Sequence, residues 1–344
     1  MRAARLNGPG QLEIVEMSPP APTSGQALVR VEANAICGSD VLAFRGKNPR
    51  YADSYPRVLG HEGAGTVVEV GPNVPPDLVG SRVAIDPNLS CGRCGQCTAG
   101  RTNLCVERHM LGESGDYQGA CAEYVAIAPG QLHQLPSAVP AWAGAVIQPL
   151  AISHHALVER GGVHEGESVL VVGAGPIGLG VALLCGILGV RVAVLDLAQH
   201  RLDLASALGA DLVLRADAPD LDARVLEWSG GGVDLAMEAA GGSQTESLRA
   251  AQRLTRRRGR IVVLGEFSTP EVAVPLHAMK HHEQQLLTSL GHPGAFEPVV
   301  SMVVDQRLDP GRLVSHRVPL DGLGDAFVML EGQDDQVVKV VVEP

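Results

Sequence analysis

The sequence predicts a two-domain α/β chain, with a doubly wound parallel sheet set inside a mainly β unit. Three observations carry that expectation. At 344 residues the chain is too long for one ordinary core. Its first stretch, to about residue 145, holds short β-type runs broken by Gly and Pro. From Ser168 onward, short fully apolar runs alternate with helical segments, the pattern of strands buried on both faces.

Taken in order, the first stretch offers strands at Ala27 to Val31, Gly65 to Val70 and Arg82 to Ile85, and no long helical period. The second offers Ser168–Val172, Arg191–Leu195, Leu212–Leu214, Val233–Met237, Arg260–Leu264 and Leu286–Ser289, with helices between them, a Rossmann-type arrangement. After Gly291 one helical stretch, Phe296 to Gln306, precedes β-type runs ending in Val337–Val342. That tail is expected to return to the first unit rather than form a third. The domains are therefore placed at 1–150 with 291–344, and at 151–290.

Composition narrows the function classes. A hydrophobic content of 45% with 19% charged residues is that of a globular protein, neither fibrous nor disordered. A formal net charge of −11 argues against a nucleic-acid partner, whose phosphates it repels. The dense basic run Arg256-Arg257-Arg258, before Gly259, reads as the solvated C-terminal end of a helix, where cations suit the macrodipole. Met1 to Met17 has no apolar run of signal-peptide length, and no segment reaches the ~20 apolar residues that span a bilayer. No membrane partner and a cytoplasmic address are expected. Seven cysteines, four of them between 91 and 105, then read as a metal site before they read as disulfides.

The strand Ser168–Val172 leads into Gly173-Ala-Gly175-Pro176-Ile177-Gly178, and then into the apolar helix Leu179–Leu188. With Asp196 ending the next strand, this is the full dinucleotide-binding fingerprint rather than a bare glycine motif. Gly173 permits the tight turn, Gly175 lets the backbone approach a pyrophosphate, and Gly178 allows close helix–strand packing. The helix N-terminus, at Pro176 and Ile177, offers free N–H groups to the phosphates. Asp196 would accept hydrogen bonds from the adenine-ribose hydroxyls and repel a 2′-phosphate, so NAD is expected over NADP. Arg201 lies nearby, as a further cofactor contact or as part of the helix that begins there.

Cys91, Cys94, Cys97 and Cys105 form C-x2-C-x2-C-x7-C in a lobe at 88–108. Four thiolates from one short segment close a tetrahedron on Zn2+ and leave no open position. An iron–sulfur cluster is the rival, disfavoured by the long last spacer and the lack of further cysteines of cluster type. Cys37-Gly-Ser39-Asp40 and Gly60-His61-Glu62 are dispersed. Singly, Cys37 reads as a buried thiol and His61 as a satisfied polar residue. Together with the nucleotide motif they suggest the three-ligand pattern that keeps one zinc position open for substrate or water.

In order and spacing these motifs resemble the zinc-dependent medium-chain dehydrogenase/reductase family of alcohol and polyol dehydrogenases, over essentially the whole chain. The resemblance implies a GroES-like catalytic domain split between the N- and C-terminal segments, two Zn2+ per chain, and NAD. By matching position, Cys37 and His61 are ligands of the catalytic zinc, with Glu62 a ligand or a carboxylate close behind them. Ser39 is the hydroxyl that takes the substrate's proton, and Asp40 orients His61. Two positions depart from the family. Gln148-Pro149-Leu150 stands where many polyol-type members carry an acidic ligand, so Gln148 is either an amide ligand or a hydrogen-bonding neighbour. Leu42 stands where members with a full proton relay carry histidine. The relay then ends at Ser39 and the nicotinamide ribose, or uses another base. His154 and His155 are candidates, a polar helix-start role being the plainer one.

The implied reaction is hydride transfer between NAD and a secondary alcohol. The segment from Arg45 to Val58 resembles members acting on polyols and sugar acids. Arg45, Lys47 and Arg50 can attract a carboxylate, although exposed loop cations are the simpler reading. Phe44 and Phe296 line the pocket or pack in the core. A polyol, sugar or sugar acid is the expected substrate, and a threonine-type amino alcohol or an aminocyclitol the alternative within the same chemistry. A non-catalytic nucleotide-binding or structural protein on this fold would be favoured by loss of Cys37 or His61, and neither is lost. A zinc-free reductase of the same superfamily would leave Cys37 unmetallated. A homodimer or homotetramer is the expected assembly.

Overall fold

A computed structural model describes residues 1–48, 55–114, 117–332 and 336–344; Arg50 lies outside them. The chain divides into two compact units, Met1–Gln148 with Phe296–Pro344, and Pro149–Ala295. The divisions fall after 148 and 295, where the sequence suggests 150 and 290.

The second unit is built on a six-stranded sheet. Its strands lie side by side as Leu212–Arg215, Arg191–Asp196, Ser168–Val172, Val233–Glu238, Thr255–Val263 and Gln285–Thr288, every neighbouring pair parallel. The order reverses between Ser168–Val172 and Val233–Glu238. In open parallel sheets the loops leaving such a reversal form the ligand-binding end. All five residues of Ser168–Val172 are buried, as β-branched and leucine side chains on both faces of a covered strand require.

The first unit is mainly β. Its larger sheet runs Leu132–Gln134, Arg82–Ile85, Gly63–Val70, Ala27–Ala35, Val340–Glu343, His316–Pro319, with Tyr124–Ile127 also paired to Ala27–Ala35. The tail strand Val340–Glu343 lies antiparallel to Ala27–Ala35, with Val341 opposite Ala35 and Val342 opposite Asn34. Leu6, Leu59 and Phe327 are fully buried in one core cluster of this unit, and Phe44 stacks on Phe327. A short ribbon, Asn88–Leu89 against His109–Met110, frames the four-cysteine segment.

Three sequence expectations fail. The arginine run does not end a helix: Glu246–Leu254 stops before it, and Arg256, Arg257 and Arg258 belong to the strand Thr255–Val263. There the pairing jumps from Val233↔Thr255 to Leu235↔Arg260, and the run is accommodated in the resulting bulge, with Arg256 Nε 2.7 Å from Asp234 Oδ1. Charged residues carry no hydrophobic period, so only the partner strand reveals this one. The tail also holds a helix, Leu323–Glu331, where β-type runs were expected; its buried Leu323, Ala326 and Phe327 are too few to mark a period unaided. Finally, His154 and His155 do not begin the helical segment that holds them but sit at a junction inside it. His154 ends Ile147–His154, and His155 opens a π-helical turn, His155–Arg160.

Candidate active site

Cys37 is the extended residue from which the helix Gly38–Phe44 departs. Its backbone N–H donates to Asp40 Oδ2 at 3.0 Å. The other oxygen, Oδ1, lies 3.5 Å from His61 Nδ1, so one carboxylate touches the backbone of Cys37 and the ring of His61. His61 is delivered by the turn at Gly60, whose φ is +100°. A Cβ there would sit 2.8 Å from the Cys121 backbone nitrogen and from Asn34 Nδ2, so only glycine makes that turn.

The next residue, Glu62, is buried, with its amide donating to Asn34 Oδ1 at 3.1 Å. Its carboxylate meets the buried ammonium of Lys339, Nζ to Oε1 2.8 Å. A Cys37 sulfur, a His61 ring nitrogen and a Glu62 carboxylate oxygen lie within 4.8 Å of one another. Burial disfavours a charged imidazole, yet the charges of Asp40 and Cys37 hold His61 well above its usual range. Surroundings that draw a proton to that ring also draw a divalent cation. Burial pushes the Glu62 carboxyl up, with Lys339 and His61 opposing.

Ser39 Oγ and Gln148 Oε1 are buried without a hydrogen-bond partner. Such orphaned groups are costly unless a ligand completes them. The donor set of sulfur, imidazole and oxygen therefore fits a catalytic zinc; Glu62 Oε2 is likewise without a hydrogen-bond partner, and such orphaned oxygens fit a site that acquires further partners. Phe44 packs against Phe327 and Phe296 against His133, so both are accounted for by core packing. Arg45 pairs with Glu331, while Lys47 is exposed.

The four sulfurs of Cys91, Cys94, Cys97 and Cys105 also lie within 4.8 Å of one another. Cys97 Sγ is 3.9 Å from that of Cys91 and 3.5 Å from that of Cys94. A tetrahedron with Zn–S bonds of about 2.3 Å has edges of about 3.8 Å, so the cluster is close to zinc-ready. Backbone N–H groups donate into it, Cys91 to Cys105 Sγ at 3.3 Å and Cys94 to Cys91 Sγ at 3.4 Å. The N–H groups of Cys97 and Val106 bring the Cys94 thiol down to about 6, whereas burial and neighbouring sulfurs lift Cys97 to about 11. Such a cluster needs a cation to hold all four as thiolates. All seven cysteines are free of disulfides, and burial pushes the Cys121 and Cys185 thiols up.

In the second unit Gly173 has φ +103°, and a Cβ on it would stand 2.7 Å from the Ala240 nitrogen. A Cβ on Gly178 would stand 1.9 Å from the Gly173 carbonyl oxygen. Gly175, by contrast, has nothing within 4 Å of its Cβ position, an open cradle before the helix Pro176–Ile187. Asp196 Oδ2 accepts from the Ala174 amide at 2.6 Å and Oδ1 from the Ala198 amide at 2.8 Å, which fixes it beside the loop. Arg201 sits in the helix Gln199–Ala207, its Nη1 4.0 Å from Asp196 Oδ2. This arrangement fits a dinucleotide. His154 and His155 turn their Nδ1 atoms to Glu159, at 3.6 and 3.5 Å.

Two buried charged residues at these sites escape the sequence reading. Lys339 is the lone cation inside the apolar run Val337–Val342, the one signal that could have marked it. Glu238, at the end of Val233–Glu238, accepts from the Ala240 and Gly241 amides at 3.1 and 2.9 Å and so shapes the loop facing Gly173.

Comparison with known proteins agrees with this geometry. Residues 23–137 match the alcohol dehydrogenase GroES-like domain, and residues 176–305 the zinc-binding dehydrogenase family. A sorbitol dehydrogenase of Halalkalibacterium halodurans is 31% identical over 98% of this chain and 97% of its own. An alcohol dehydrogenase (rspB) from Escherichia coli CFT073, solved with NADH, is 30% identical with a TM-score of 0.90, covering 100% of this chain and 99% of that one. A zinc-binding dehydrogenase from Sinorhizobium meliloti 1021, solved with NADP, is 31% identical with a TM-score of 0.90 and the same coverage. Fold and site thus define a two-unit oxidoreductase of zinc-type alcohol dehydrogenase architecture. The chain belongs to the zinc-dependent medium-chain dehydrogenase/reductase family.

Proposed function

We propose that the protein oxidises a secondary alcohol of a polyol, sugar or sugar acid to the ketone, with NAD as the hydride acceptor. The observation that carries this reading is the convergence of Cys37, His61 and Glu62, with the orphaned Ser39 hydroxyl on the helix that Cys37 begins. The similarity to a sorbitol dehydrogenase supports the polyol class. Cys37 and His61 would hold one Zn2+, completed by Glu62, Gln148 or solvent, and Cys91, Cys94, Cys97 and Cys105 a second. The first ion supplies a Lewis acid for the alcohol oxygen, and NAD the two-electron acceptor.

The chain's own residues do the rest. Ser39 Oγ would accept the substrate's hydroxyl proton as it gives up its own; Leu42 offers no base behind it, so a cofactor hydroxyl or another base would have to take that proton on. Asp40 fixes the ring of His61. N–H groups at the start of Pro176–Ile187 would bind the pyrophosphate, and Asp196 would accept from the adenine ribose. The deciding experiment is a panel of polyols, sugar acids and amino alcohols run with NAD and with NADP, alongside zinc content. Two zincs per chain and faster turnover of a polyol with NAD are expected. Equal or better rates with NADP would overturn the Asp196 assignment, and no turnover with any alcohol would overturn the enzyme reading.

We also infer a homo-oligomer. Gln285–Thr288 is the outer strand of its sheet, and Leu286 and Leu290 are about two-fifths exposed on and beside it, at 39% and 43%. A monomer by light scattering would refute this.

A further inference from the structure

Lys339 makes an arrangement that the reaction alone does not demand. It lies in the tail of the split unit, 2% exposed, just before the strand Val340–Glu343. Its ammonium donates to the Ile36 carbonyl at 2.9 Å and to Glu62 Oε1 at 2.8 Å, with Oε2 at 2.5 Å. Ile36 precedes Cys37, and Glu62 follows His61. One buried cation therefore ties together the two turns that carry the candidate ligands. The Lys339 backbone is itself held. Ser315 Oγ accepts from the Val338 and Lys339 amides at 2.9 and 3.1 Å and donates to the Lys339 carbonyl at 3.0 Å.

We propose that Lys339 is a positioning residue of the metal centre, which holds the Glu62 carboxylate back from the ion and keeps Cys37 and His61 in register. The proposal rests on the catalytic-zinc reading given above. A carboxylate oxygen within 4.8 Å of Cys37 Sγ and a His61 nitrogen is close enough to become a ligand. Here both of its oxygens face an ammonium, so it stays a neighbouring anion. The ammonium donates to the Ile36 carbonyl and to Glu62 Oε1, while Oε2, though 2.5 Å from it, is ion-paired without a hydrogen bond.

The test uses the full chain with Co2+ exchanged into the catalytic site, because the visible d–d bands of Co2+ report its ligand set. Glu62→Gln is expected to keep the bands of the unaltered protein, since Glu62 is not a ligand. Lys339→Met should shift them as the released carboxylate binds. Glu62→Gln/Lys339→Met should restore the original bands, and Lys339→Arg should retain them. Shifted bands in Glu62→Gln, or unshifted ones in Lys339→Met, would overturn the proposal. Should Lys339→Met fail to fold, the Glu62→Gln and double-variant spectra still decide whether Glu62 is a ligand. Binding of only one equivalent of Co2+ by the unaltered protein, at the four cysteines, would instead remove the catalytic-metal reading itself, and the proposal with it.

Discussion

Asp40 Oδ1 stands 3.5 Å from His61 Nδ1, with both side chains buried. A carboxylate in this place fixes both the tautomer and the orientation of the imidazole. Asp40→Asn, which keeps the shape and loses the charge, should lower catalytic-zinc affinity or turnover by about 10–100-fold. Zinc content after dialysis against a weak chelator, read beside steady-state rates, checks this. Unchanged values for both would remove Asp40 from the site.

The two outer glycines of the nucleotide loop should separate from the middle one. Gly178→Ala drives a methyl into the Gly173 carbonyl and should cost on the order of 1–3 kcal/mol of stability along with dinucleotide binding. Gly175→Ala meets no atom within 4 Å and has φ −71°, so the fold should lose less than about 1 kcal/mol. Its affinity for NADH should nonetheless fall by at least about tenfold, or ~1.4 kcal/mol. Denaturant melts and NADH fluorescence titrations read the two effects separately. Normal NADH affinity in Gly175→Ala would mean that the pyrophosphate binds elsewhere.

The four-cysteine lobe should behave as a staple. Cys97→Ser should release one zinc per chain and lower the unfolding temperature, by roughly 2–4 °C for each kcal/mol lost in a domain of this size. Metal analysis and calorimetry test this. A variant that keeps two zincs, or melts like the unaltered protein, contradicts a structural role.

Glu159 carries a pH signature. Burial pushes its carboxyl up, but the nearby rings of His154 and His155, 3.6 and 3.5 Å away, outweigh it and hold the group at about 2. The folded value lies below the unfolded one, near 4.3, so the stabilisation is complete above that pH. It fades as pH falls toward 2. Urea midpoints between pH 5 and 2 should decline less steeply in Glu159→Gln than in the unaltered protein. The difference is small, because water partly screens the group. Parallel curves would show that the histidine contacts do not persist in solution.

Much of this molecule is legible in the chain itself, for local reasons. A glycine fingerprint between an apolar strand and a helix, and four cysteines within fifteen residues, are local patterns, and the structure shows the tight glycine loop and the four clustered sulfurs. The six parallel strands are legible because strands buried on both faces must be uniformly apolar. The arginine run and the helix Leu323–Glu331 were not, since a bulge and a short helix are set by what they pack against.

The two metal constellations divide along the same line. Sequence alone determines the residue types at both, and nearly the whole of the four-cysteine lobe, because its sulfurs need only a short loop to meet. Only the tertiary structure brings Cys37, His61 and Glu62 within 4.8 Å, turns Asp40 to His61, and sets Lys339 from the tail against Glu62. A buried lysine costs too much without a counter-charge to be read from a strand pattern. Its partner, 277 residues away in the chain, becomes visible only once the tail strand lies beside Ala27–Ala35.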